Sequence, residues 1–357
     1  MIPIAKPLLG EEEIIAVKEV IESGIIASGP KTQEFEERFA DFVGTKYAVA
    51  TTSGTTALHL ALLSMKIQKG DEVIVPSFSF IATANSVLFC NARPVFCDIN
   101  FKTFNVDYEK IEGLISEKTK AIMPVHLYGQ PADMDPLHEI AEKHGLKIIG
   151  DAAQAHGSEY KGKKVGSFGK VECFSFYPTK NMTTGEGGIL TTNSSEIAEK
   201  AYSIRNHGRQ KTKWGYEHGI LGYNYRMTDL AATIGLVQLK HLPDFNKKRI
   251  DNAKFLNENL KNVEIPYVIK NVKHVYHQYT IKCKKRKGLI ENLKKNEIGF
   301  GVYYPKPLQY YGHLKEFGHS DLKNSENCSE LVLSLPVHPA LDTQDLEKIV
   351  NAINKSF

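Results

Sequence analysis

The 357-residue sequence is poor in features that would point away from an ordinary globular enzyme. It holds five cysteines, Cys90, Cys97, Cys173, Cys283 and Cys328, and no C-x-x-C pair. An odd, scattered set argues against a disulfide framework and a structural zinc site. No apolar run is long enough to span a bilayer. The opening "MIPIAKPLLGEEE" lacks a secretory signal pattern, so a cytoplasmic location is expected. Neither sign of charge dominates: 45 Lys and Arg against 41 Asp and Glu leave +4. That excess is too mild to imply nucleic-acid binding, and the late basic runs "KNVK" and "KCKKRKG" read as solvated faces. There is no Walker A motif, hence no indication of a nucleoside-triphosphate site. Repeats and low-complexity linkers are also missing.

What remains is a composition of 42% hydrophobic and 24% charged residues, with length for about two domains. Residues 11 to 44 read as two helices, with Ile14, Val17 and Ile21 recurring in the first and Phe35 and Phe39 in the second. Short apolar runs then suit buried strands: "YAVA", "EVIVP", "PVFCDI", "AIMPVHL", "KIIGDA", "VECFSF" and "GILTT". Helical stretches such as "TTALHLALLSM" and "MDPLHEIAEKHG" separate several of them. Alternating strand and helix implies an α/β layer with a largely parallel sheet covered on both faces. Residues 228 to 260 read as a long helical stretch interrupted at Pro243. The remainder mixes strand and helix, so a large α/β domain over 1–243 and a smaller α+β domain over 244–357 are expected.

Ligands of open α/β sheets bind outside the carboxyl ends of the strands, and the candidates stand there. In "VATTSGTTALHLALLSM", Ser53, Gly54, Thr55 and Thr56 open a helix whose free N–H groups suit a phosphate; a capped helix start is the plainer reading. In "DEVIVPSFSFIATAN", Phe80 follows a strand among small residues and could stack on a planar ligand or fill the core. Asp151 ends the apolar strand of "KIIGDAAQAHGSEY". A buried carboxylate needs a partner: a helix start, an arginine or a protonated ring nitrogen. Ala152 and Ala153 leave room beside it for a flat ring. His156 has no second His or carboxylate at ligand spacing, so no metal is expected. In "GYNYRMTDLAA", Asn224 and Arg226 precede the long helix. The arginine suits a carboxylate or phosphate, or packs on Tyr223 and Tyr225. Finally, "FSFYPTKNMTTGEGGIL" hangs Lys180 between an apolar strand and a glycine cluster. It is either a surface lysine or an amine that does chemistry.

Taken together, these groups match the needs of pyridoxal 5'-phosphate (PLP): a lysine to hold it, an acid for the pyridine nitrogen, an aromatic for the ring face and donors for the phosphate. The ordered motifs "SGTTALHLAL", "PSFSFIATANSV", "DAAQAHGS", "SFYPTKNMTTGEGG" and "GYNYRM" resemble the DegT/DnrJ/EryC1/StrS sugar aminotransferases. The resemblance runs from "IPIAKPLLGEEE" to "LSLPVHPALDTQDLEKIV".

The resemblance implies a fold-type-I PLP enzyme: a seven-stranded sheet domain, a small C-terminal domain and a homodimer. Lys180 would carry the cofactor covalently and move the proton, and Asp151 would pair with the ring nitrogen. Gln154 would bond the ring hydroxyl, with Phe80 on one ring face and Ala153 on the other. Thr55, Thr56 and Ser175 would hold the phosphate, and Asn224 would reach the phosphate in the partner subunit. Arg226 and Glu186 fall at family positions beside the substrate. Glu186, in "GEGG", leans towards amination at C4, since many C3 enzymes carry "GDGG". The implied reaction moves an amino group from L-glutamate to a keto-sugar linked to a nucleoside diphosphate, in amino-sugar or polysaccharide synthesis. Rival readings are a cyclitol aminotransferase, a PLP-dependent sugar dehydratase and a non-catalytic regulatory protein of the same fold. The dehydratases carry histidine where Lys180 stands, and a regulatory relative would have lost Lys180 or Asp151.

Overall fold

The computed structural model describes residues 1–319 and 321–357. Helices α1 (Glu11–Ser23) and α2 (Pro30–Val43) lead into strand β1 (Tyr47–Thr51) and helix α3 (Gly54–Ser64). Then come β2 (Glu72–Pro76), α4 (Ala82–Phe89), β3 (Arg93–Cys97), β4 (Thr119–Ile122), α5 (Met134–His144) and β5 (Lys147–Asp151). A small excursion, β6 (Glu159–Tyr160) and β7 (Lys163–Lys164), precedes β8 (Val171–Ser175), β9 (Gly188–Thr192) and α6 (Ser195–Arg205).

Seven of these strands form one sheet in the order β1-β9-β8-β5-β4-β2-β3. Strands β8, β5, β4, β2 and β3 pair in parallel, while β9 lies antiparallel between β1 and β8. Such strands need apolar side chains on both faces, which is why they read as continuous Val, Ile and Ala runs. One face packs under α3, α4 and α6 through Val49, Val75, Ile149 and Cys173. The other is covered by α5 through Ile74, Ile122 and Ile148, and by α2 and the later helix α7 (Asp229–Asn259) through Phe35, Phe39, Phe174 and Leu242. Because β9 reverses direction, the ends of β1, β5 and β8 and the start of β9 share one edge. Thr51, Asp151, Ser175 and Gly188 therefore converge there.

An exposed hairpin, β10 (Arg209–Thr212) and β11 (Gly215–His218), leads to α7 (Asp229–Asn259). Helix α7 has 31 residues, about 46 Å at 1.5 Å per residue. The expected interruption at Pro243 is absent: the helix runs through it. An interior proline loses one helical hydrogen bond. Here Leu239 and Leu242 pack on the sheet before it, and Ala253 and Leu256 enter the C-terminal core after it. That core gathers β13 (Tyr279–Lys282), which follows the two-residue β12 (Val272–Lys273), and β14 (Val332–Leu335), together with α8 (Arg286–Lys295) and α10 (Thr343–Asn354), while α9 (Lys323–Leu331) packs through Cys328 on Phe78, Phe104 and Tyr128. Ile2 joins it, its N–H donating to Glu297 O and its carbonyl accepting from Gly299.

Helix α1 departs from its apolar pattern. Ile14 and Ile21 are exposed while Glu13 is buried, because its carboxylate accepts the Gly10 N–H (2.8 Å) and the Gln238 amide (2.7 Å). No helix among the described residues is long and apolar enough to cross a membrane.

Candidate active site

The loop from β8 to β9 carries Lys180, whose N–H closes a turn on Tyr177 O at 2.9 Å. The residue keeps part of its surface open, yet its amine sits deep enough that burial lowers its pKa to about 8, against the pull of Asp151. An amine near neutrality is a usable base and nucleophile. Asp151, the last residue of β5, is 5% exposed. Its Oδ2 accepts the Thr83 hydroxyl at 2.8 Å and its Oδ1 the Ala153 N–H at 3.2 Å. Burial raises its pKa; those two hydrogen bonds and the charges of Lys180 and His126 oppose the rise. Both donors that touch the carboxyl are neutral, so a cation placed against it would favour the ionised form.

Gln154, the residue after Ala153, is buried. Its Oε1 accepts the Tyr128 N–H at 2.7 Å and its Nε2 donates to the Tyr304 hydroxyl at 3.0 Å. The Tyr304 ring lies 6.3 Å from that of Phe80, which is exposed. Phe80 is thus not a core residue but an open aromatic face at the sheet edge.

At the end of β1, Ser53 caps α3: its Oγ accepts the Thr56 N–H at 3.1 Å. The Thr56 hydroxyl is committed to that cap, bonding Ser53 N (3.0 Å) and Ser53 O (2.9 Å). The N–H groups of Gly54 and Thr55 stand in the first turn, where a helix cannot pair its own donors. Close packing needs two glycines here. A Cβ on Gly54 would lie 2.6 Å from Ser175 Cβ, and one on Gly188 would lie 2.2 Å from Ser53 O. Ser175 is thereby set against the helix start.

The remaining expected residues do not meet Lys180 or Asp151 through any hydrogen bond or ion pair among the described residues. Asn224 is exposed, with its backbone bridged to Asn206. Arg226 donates from Nη1 to Asn206 Oδ1 at 2.7 Å and lines a cleft with Arg209, His207, His218 and Tyr216. The segment stays close to the helix start, since Tyr225 O accepts the Thr52 N–H at 3.1 Å. Glu186 is exposed on the glycine turn. Sequence reasoning missed Thr83, Tyr304 and Asn181. Thr83 lies inside the quoted "PSFSFIATAN", but a threonine inside a helix carries no signal of its own. Tyr304 arrives from the other end of the chain.

The geometry suits PLP. A buried carboxyl with neutral donors can take a pyridinium, an open aromatic can cover a ring, and a serine- and glycine-lined helix start can take a phosphate. The comparisons agree. The model of the DegT/DnrJ/EryC1/StrS aminotransferase family matches residues 7–354. GDP-perosamine synthase of Caulobacter vibrioides is 42% identical over 368 residues, covering 99% of this chain and 98% of that protein. The UDP-N-acetyl-3-dehydro-alpha-D-glucosamine 3-aminotransferase of Acidithiobacillus ferrooxidans is 38% identical, covering 98% of this chain and 95% of its own. The crystal structure of S. venezuelae DesV, in complex with a ketimine intermediate, superposes with a TM-score of 0.92 at 35% identity over 96% of this chain and 94% of that one. The chain belongs to the DegT/DnrJ/EryC1/StrS aminotransferase family and is a PLP-dependent enzyme of fold type I.

Proposed function

We propose that the enzyme moves an amino group from L-glutamate to a ketone carbon of a sugar carried on a nucleoside diphosphate, in amino-sugar or polysaccharide synthesis. The observation that carries this reading is a lysine amine lowered to about 8 beside a buried carboxyl with neutral donors at one sheet edge. The sugar nucleotides in the names of the two relatives, a product in the first and an acceptor in the second, support the acceptor class.

In this reading Lys180 would hold the cofactor through its amine and, with that amine free, would take a proton from one carbon of the bound substrate and return it to another. Asp151 keeps the ring nitrogen protonated. Bound PLP supplies an electron sink for the carbon that loses its proton. Gln154 would bond the ring hydroxyl, with Phe80 and Ala153 to hold the two ring faces. Ser53, Gly54, Thr55, Thr56 and Ser175 hold the phosphate, Thr56 through its part in the cap. Arg226 and Glu186 contact the substrate, and Glu186 leans towards C4 as the carbon aminated. Two copies form a dimer, with Asn224 of the partner subunit reaching the phosphate. The enzyme works in the cytoplasm. A panel of nucleotide-linked keto-sugars offered with L-glutamate, read by mass spectrometry, tests the assignment. Amination of none of them, by protein that carries PLP, would overturn it.

A further inference from the structure

Helix α7 does more than join the sheet to the C-terminal core. Gln238, Asn246, Arg249 and Asn252 are all at most 5% exposed, and each grips another chain segment. Their spacings of eight, three and three residues keep them on one side of the helix. Gln238 Nε2 donates to Leu8 O at 2.7 Å. Arg249 Nη1 donates to the carbonyls of Tyr276 and His277, both at 3.3 Å. Asn252 Nδ2 donates to His338 O at 3.1 Å.

Asn246 holds the two loops of the site. Its Oδ1 accepts from Asn181 Nδ2 at 2.7 Å, and its Nδ2 donates to His156 O at 2.8 Å. Asn181 follows Lys180 directly, and His156 lies two residues past Gln154. Asn181 Nδ2 also donates to Val275 O at 3.1 Å, in the segment entering the C-terminal core. The fit is close. Gly157 has φ +75°, and a Cβ there would stand 2.8 Å from Asn246 Nδ2 and 3.3 Å from the Phe42 ring. One buried amide thus ties the loop of the lysine to the loop that follows the carboxylate.

We propose that Asn246, acting through Asn181, is a positioning residue that sets where the Lys180 amine stands relative to Asp151. The inference rests on the reading of Lys180 as the cofactor lysine. Between β8 and β9 the loop's other hydrogen bonds run mostly within it: Thr183 and Thr184 bond back to Phe176 O and Lys180 to Tyr177 O, while the Thr183 N–H donates to Gln238 Oε1 of α7 at 3.4 Å. Asn181 is the tie next to the lysine that leaves this loop, and a misplacement near 1 Å at a reacting group costs on the order of a hundredfold.

The test compares PLP-loaded wild type with Asn246→Ala, Asn181→Ala and the double variant. Borohydride reduction and peptide mapping first establish that PLP is attached to Lys180 in each. The readouts are the pH midpoint of the cofactor absorbance, melting temperature, kcat and KM. Each single variant should lose about tenfold to a hundredfold in kcat, with KM changed by less than about threefold. The absorbance midpoint should move by about half a pH unit or more, reporting a changed environment for the lysine. The double variant should be no worse than the poorer single one, because the two amides act as a unit. Asn181→Ala spares the bond from Asn246 to His156, so it carries the test if Asn246→Ala does not fold. A folded Asn181→Ala labelled on Lys180, with kcat and absorbance midpoint of the wild type, would overturn the inference. Attachment to another lysine in the wild type would instead overturn the reading on which it rests.

Discussion

The amine of Lys180 ought to be a measurable burden on the PLP-free fold. Burial takes its pKa from the ordinary 10.5 to about 8. At 1.36 kcal/mol per pH unit this is about 3 kcal/mol, and about 2 kcal/mol after allowing for the part of the residue open to water. The sign follows from proton linkage. Between pH 8 and 10.5 the unfolded chain binds the proton and the folded one does not, so stability rises with pH across that window. Below about pH 8 both states are protonated and the full cost of burying the cation is present. Lys180→Met keeps the length and removes the charge. At roughly 2.1 cal/mol/K of unfolding entropy per residue, 2 kcal/mol corresponds to a melting temperature about 3 °C higher for a chain of this size. Melts of PLP-free wild type and Lys180→Met at pH 7, 8.5 and 9.5, at one scan rate, should show the variant ahead at pH 7 and the gap closing as pH rises. A gap that is constant with pH, or wild type ahead at pH 7, would refute the argument that burial holds the amine near neutrality.

Other consequences follow from the same site. Asp151→Asn should keep PLP but lose at least about a hundredfold in kcat, since a ring nitrogen without its anionic partner would lose the proton that makes the ring an electron sink; a folded, PLP-bound variant with wild-type turnover would contradict the role of Asp151. Gly54→Ala puts a Cβ 2.6 Å from Ser175 Cβ, so PLP titration should show weaker binding and melting a loss of about 1–3 kcal/mol for overpacking. Unchanged affinity would mean that the helix start does not hold the phosphate. Mixing Lys180→Ala with Asn224→Asp under conditions where subunits exchange should restore about a quarter of the sites, because one site of each mixed two-fold dimer has both groups intact. Activity no higher than in the separate variants, with exchange demonstrated, would show that each site is built from one chain.

The strand runs were legible because a strand covered on both faces is largely apolar, whichever way it runs. "GILTT" and "EVIVP" coincide with β9 and β2. Lys180 and Asp151 stood out as candidates for a related reason: a charged residue at or just past the end of such a run stands where a ligand can reach it. Helix α1 was harder, because a buried Glu13 held by Gly10 and Gln238 breaks the apolar pattern. Pro243 was misleading, because packing before and after it carries α7 through a residue that disfavours a helix interior.

The amino-acid sequence by itself determined the α/β class, for which local pattern suffices, and it offered Lys180 and Asp151 as candidates at or just beyond strand ends, to which the family resemblance gave roles. Only the tertiary structure decided that β9 runs antiparallel and so brings Gly188 beside Ser53, and that Thr83 and Tyr304 join Asp151 and Gln154. It alone decided that Asn246, 65 residues away in sequence, bonds to Asn181 beside the lysine. Such contacts depend on where distant segments dock. No local periodicity encodes that, because a buried amide reads the same in the sequence whether it bonds a neighbour or a loop from the other side of the core.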